Sequence, residues 1–115
     1  MLGWWIGIST QTPEQRDGAG DEARRAALLG HWEIGLGGLD WLTGLVAAGK
    51  AVRLAHNGYP SRFTARAGDV LPLLAATGAP GTGPTAGAFL LELHPDRIAA
   101  CPADRMLTID AWDLS

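Results

Sequence analysis

Asn57-Gly58 is the feature that most narrows what this chain can fold into. Both residues tolerate positive φ, and such a dipeptide between two alternating stretches is a strong hairpin signal. On the leading side Val52 and Leu54 alternate with Arg53 and Ala55. On the return, Arg62, Thr64 and Arg66 alternate with Phe63 and Ala65. Each stretch has the pattern of a half-buried strand. The hairpin and its flanks, residues 50–66, hold Lys50, Arg53, Arg62 and Arg66 together with His56, and no acidic residue, although the whole chain has a formal charge of −3. A cationic strip inside an acidic protein suggests a contact surface for something anionic.

The segments around the hairpin set the fold class. Residues 2–9 read as a strand carrying Trp4, Trp5, Ile6 and Ile8. Residues 10–22 are polar and contain Pro13, Gly18 and Gly20, the composition of a loop. A helix is expected from Asp21, ending at Gly30, and residues 31–38 read either as a short strand or as a glycine loop. The next helix runs from Asp40 to Gly49, with Trp41, Leu42, Leu45 and Val46 on one face and Gly49 as its stop. Asp69 is expected to cap a helix over VLPLLAATG, with Pro72 near its first turn. Residues 78–87 form a low-complexity loop with no packing side chains. AFLLELHP reads as a buried strand, RIAAC between Pro95 and Pro102 as a short helix or turn, and MLTIDAWD as a closing strand. Its Met106, Thr108 and Asp110 lie on one face and Leu107, Ile109 and Ala111 on the other. The order predicts one α+β domain over residues 1–115: an antiparallel or mixed sheet of about five strands with two or three short helices packed on it.

Composition bounds the function. A chain of 115 residues can bury about two-thirds of its unfolded surface and fold without disulfides or metals. The single cysteine, Cys101, fits a reducing compartment and hence the cytoplasm. MLGWWIGIST lacks the basic start and small-residue cleavage site of a signal peptide, and no apolar run reaches the length of a membrane span. Five Trp against two Phe and one Tyr point to mainly structural indoles, with an exposed one available as an anchor for a partner.

Chemistry-bearing clusters are sparse. Residues 44–51 resemble a phosphate-binding P-loop, but Ala51 stands where Ser or Thr would hold Mg²⁺. His31 with Glu33, and His94 with Asp96, each supply two of the three or four ligands a zinc site needs. Cys101 lies in an apolar stretch that disfavours a reactive thiolate. Neither catalytic residues, nor a metal site, nor a cofactor is expected from these patterns.

Residues 41–74, WLTGLVAAGKAVRLAHNGYPSRFTARAGDVLPLL, follow the order helix, basic two-stranded hairpin, Thr64, Gly68, helix. This order resembles the second half of a winged-helix DNA-binding domain. The resemblance implies a basic wing against nucleic acid. The helix over 40–49 has no Arg, Lys, Asn or Gln to read bases, so such a wing would contact phosphate.

Three functions follow as expectations. The first is a small non-enzymatic inhibitor-type protein, of the anti-CRISPR or anti-defence, immunity or antitoxin class, that docks on a protein with an acidic surface. Its contact residues would be Lys50, Arg53, His56, Asn57, Tyr59, Arg62 and Arg66, with Tyr59 or an exposed Trp as anchor. The second is a nucleic-acid-binding module that uses the hairpin as a wing. The third is a small enzyme built around His56, Tyr59, Arg62 and Asp69. Against all three stands internal neutralisation of the strip by Asp69, Glu92, Asp110 or Asp113.

Overall fold

A computed structural model describes residues 3–55, 60–75 and 83–114. Six strands form one fully antiparallel sheet. They are β1 (Trp4–Ser9), β2 (Leu28–Ile34), β3 (Ala51–Ala55), β4 (Ser61–Arg66), β5 (Phe89–Leu93) and β6 (Met106–Asp113), in the spatial order β3-β4-β6-β1-β2-β5. The helices are α1 (Pro13–Gly18), α2 (Asp21–Ala27), α3 (Asp40–Ala47), α4 (Ala67–Ala75) and α5 (Pro95–Ala100), with a 3-10 turn over Leu36–Leu39. The α+β class is as expected; the sheet has one strand more, and the helices outnumber the two or three foreseen.

The sheet's two faces follow from register. Ile6 pairs with Ala111 and Trp32, Ile8 with Ile109, and Phe63 with Ile109. These residues share the first face and are fully buried, and Leu42, Val70 and Leu74 from α3 and α4 join them in one core. Trp32 is fully buried, 6.3 Å from the ring of Trp41. At about 25 cal/mol per Å² and 150–250 Å² of surface, one such ring contributes roughly 4–6 kcal/mol. The second face carries Trp5, Asp110, Arg62, Thr64 and Val52. Residues 10–27 lie over part of it, tied down where Thr108 Oγ1 donates to the Gln11 carbonyl at 2.7 Å and Arg105 Nη2 to the Thr10 carbonyl at 3.2 Å.

Several local expectations change. The stretch 10–22 is largely helical, not a loop. Thr12 Oγ1 accepts from the Gln15 N–H, Gln15 Oε1 accepts from the Thr12 N–H, and Pro13 sits in the first turn. This reciprocal cap satisfies two otherwise orphaned donors. The helix from Asp21 stops at Ala27, before Gly30, because Leu28, Leu29, Trp32 and Ile34 are drawn into a strand that buries them. Gly30 is there for proximity: a Cβ on it would meet Leu93 Cδ2 at 2.5 Å and the Glu92 carbonyl at 3.1 Å. Helix α4 begins at Ala67, with Asp69 inside its first turn. Its leading N–H groups at Ala67 and Gly68 donate to the carbonyls of Arg105 and Ala103 rather than to a side-chain cap. In the expected loop 78–87 the described part, 83–87, does pack, since Pro84 and Thr85 are buried. The AFLLELHP strand is not buried. As β5 it is an outer strand, with Phe89, Leu90 and Leu91 all exposed and only Leu93 turned toward the core.

Candidate functional site

The cationic strip does not form one surface. Arg53 pairs across the ladder with Phe63, so it lies on the core face, with its guanidinium 5.1 Å from the Phe63 ring centre. Arg62, Thr64 and Arg66 lie on the second face, because Thr64 pairs with Thr108 and Arg62 with Asp110. His56, Asn57 and Tyr59 fall outside the described residues, as does the Asn57-Gly58 bend itself. The strands on either side of it pair antiparallel, as a hairpin must.

Arg62 is engaged internally. Its Nε donates to Asp110 Oδ1 at 2.7 Å and its Nη1 to both carboxylate oxygens of Asp17, at 3.0 and 3.1 Å. Asp110 is 2% exposed and takes a second charged partner, Arg16 Nε, at 2.5 Å. The hydrogen bond that Arg62 donates to Asp110 raises the Arg62 pKa above the usual guanidinium range, against the opposing pull of burial, with smaller help from Asp17. Of the acids foreseen as neutralisers, Asp110 does this for Arg62. Asp17, a surface acid of α1, is the partner that was not foreseen.

Lys50 and Arg66 are brought together. Both line a groove at the base of the hairpin with Val52, Thr64, Met106 and Asp69. Both are exposed, and among the described residues neither makes an ion pair. The β3–β4 ladder ends at Ala51–Ala65, and Lys50 and Arg66 are the residues just beyond that pair, so two like charges line the same groove, an unfavourable arrangement. Val52 is 58% and Met106 51% exposed beside them. Strand β3 is outermost in the sheet, and among the described residues no strand pairs with its outer side.

The remaining candidates separate. Gly44 lies within α3, and Gly49, at φ 76°, closes that helix as Lys50 N–H returns to the Leu45 carbonyl. Residues 44–51 are therefore a helix and its stop, not a phosphate loop. His31 Nε2 lies 2.8 Å from Glu92 Oε2 and His94 Nε2 3.7 Å from the same oxygen, so Glu92, cross-strand from His31 and two residues before His94, takes the place of Glu33 and Asp96. Among the described residues no group of three or more His, Cys, Asp or Glu is placed to hold a metal ion. Burial pushes the Cys101 thiol pKa up, with Arg105 pulling partly back, which opposes a nucleophilic role. A cavity of about 340 Å³ between residues 34–41 and 83–87 is lined mainly by glycines and apolar side chains including Trp41, with Asp40 the one titratable group among the described lining residues. Of the five tryptophans Trp112 is the exposed one, at 41%. Among the described residues no helix is long and apolar enough to cross a membrane.

Compared with known proteins, the chain matches no protein-family model, no curated protein and no solved structure.

Proposed function

We propose that this is a small binding protein of the inhibitor type, in the anti-defence, immunity or antitoxin class, that acts by protein–protein contact and without catalysis. Its docking site is the outer side of β3 with the Lys50–Arg66 groove. Its partner supplies an extended segment that alternates acidic and apolar residues. The observation that carries this reading is the pair of exposed, like-charged side chains beside Val52 and Met106 that make no ion pair among the described residues. An arriving carboxylate relieves their repulsion, apolar side chains cover Val52 and Met106, and the backbone continues the ladder on β3, which is the logic of strand addition. Charge at such a site mainly speeds encounter and selects the partner. The single cysteine suits action in the cytoplasm.

The geometry favours this over a nucleic-acid wing. Strand β4 is bonded on both sides, to β3 and to β6, so both strands of the hairpin belong to the sheet. Arg62 is held by two aspartates. Helix α3, in the place of a recognition helix, carries no basic residue.

The test is quantitative capture from host lysate with three baits: the natural chain, the Lys50→Glu/Arg66→Glu variant, and Arg25→Glu as a charge control on exposed α2. The expected result is a protein recovered by the natural and control baits and lost from the double variant. Equal recovery by all three baits contradicts the assignment. Retention of random duplex DNA, lost in the double variant, supports the wing instead.

A further inference from the structure

The second face of the sheet holds another charged cluster, apart from the β3 edge. Helix α1 brings Arg16 and Asp17 over β6 and β4, and α2 brings Arg24. With Arg62, Asp110 and Trp112 they line a pocket of about 220 Å³. This is below the roughly 300 Å³ at which pockets for drug-sized ligands begin.

Charge in this pocket does not balance. Asp110 is shared between Arg16 and Arg62, and Asp17 binds Arg62 alone. Among the described residues Arg24 has no carboxylate partner: its Nε donates to the Arg16 carbonyl at 2.7 Å and its Nη2 to the Asp17 carbonyl at 3.3 Å. Three guanidinium groups thus face two carboxylates. Arg16 is 8% exposed, and its Nη1 is buried with no hydrogen-bond partner among the described residues. A buried charged donor left unpaired is among the costliest omissions in a fold, and it asks for an acceptor. Trp112 adds an aromatic wall.

We propose that this pocket binds a small organic oxyanion. Its carboxylate or phosphate head sits among Arg16, Arg24 and Arg62, and its body lies against Trp112. An oxyanion brings acceptors to the guanidinium groups that line the pocket and cancels the excess positive charge around the buried Arg16, and guanidinium groups match both head groups in geometry. The rim carboxylate of Asp17, 66% exposed at its side chain, opposes entry and weakens the site. Removing its charge therefore strengthens binding, an effect that damage to the fold cannot imitate.

The experiment is thermal unfolding of the full chain with increasing sodium acetate, benzoate, inorganic phosphate or phenyl phosphate, each against sodium chloride at equal ionic strength. A ligand that binds the folded state raises Tm with concentration. The expected result is a rise with at least one of these anions. Loss of a charged hydrogen bond in Arg24→Gln weakens the effect by roughly tenfold in concentration, and Asp17→Asn shifts it to lower concentration. The stronger series, acetate and benzoate or phosphate and phenyl phosphate, identifies the head group. No rise beyond chloride with any of the four, or a rise unchanged in both variants, overturns the proposal.

Discussion

Asp110 shows what a single residue can decide here. It sits mid-strand between Ile109 and Ala111, two residues of the core face, and points to the other side, where Arg16 and Arg62 meet it. Its value lies in neutralising two guanidinium groups with side chains only 10% and 15% exposed. Truncating one partner of a buried ion pair leaves charge uncompensated and costs about 3–5 kcal/mol. Asp110→Ala is therefore expected to lower the urea midpoint by that order with the slope unchanged. Asp17→Ala removes a mostly exposed pair and is expected to cost no more than about 1 kcal/mol. Equal effects of the two substitutions would contradict this division. Cys101 supplies a reactivity prediction. Because burial raises its pKa, less of it is thiolate than in a free thiol near pH 8, and its alkylation by iodoacetamide is expected to be slower than that of free cysteine. The contrast disappears on unfolding in urea.

Among the elements, those with their own periodicity were legible. The β3–β4 pairing, the core stripe of α3 and the two-faced β6 follow from alternation or helical spacing within each segment, and the structure has them where expected. The misreadings arose where tertiary context overrides composition. Residues 10–22 are polar, but Thr12 and Gln15 already stand at the spacing of a capping box, a signal that was in the sequence. Gly30 looks like a helix stop and is a point of close strand approach. Phe89-Leu90-Leu91 looks buried and is exposed because β5 ends the sheet, a fact of strand order that no local pattern encodes. Leu90 also sits at φ 51° beside a register shift against β2. The left-handed region costs an ordinary residue about 1–2 kcal/mol, and Asn tolerates it better. Leu90 is 71% exposed, so little packing is lost on replacement. Leu90→Asn is expected to raise stability by up to about 1 kcal/mol in chemical denaturation. A loss of similar size would show that the bulge depends on the leucine.

At the scale of the whole molecule, the sequence located the charge but not its division. Seen along the chain, Lys50, Arg53, Arg62 and Arg66 form one strip. In the sheet, alternation sends Arg53 to the core side, and α1 arrives from far away to occupy Arg62. What remains is Lys50 and Arg66 at an outer strand, next to exposed apolar side chains. Partner binding then depends on that edge accepting a strand. Amide hydrogen exchange on the protein alone and with the protein recovered by capture tests this most directly. The account predicts strong slowing at the outward-facing amides of Ala51–Ala55, absent when the Lys50→Glu/Arg66→Glu variant is mixed with the same protein. Slowing confined to another part of the molecule, with β3 exchanging as it does alone, would contradict it.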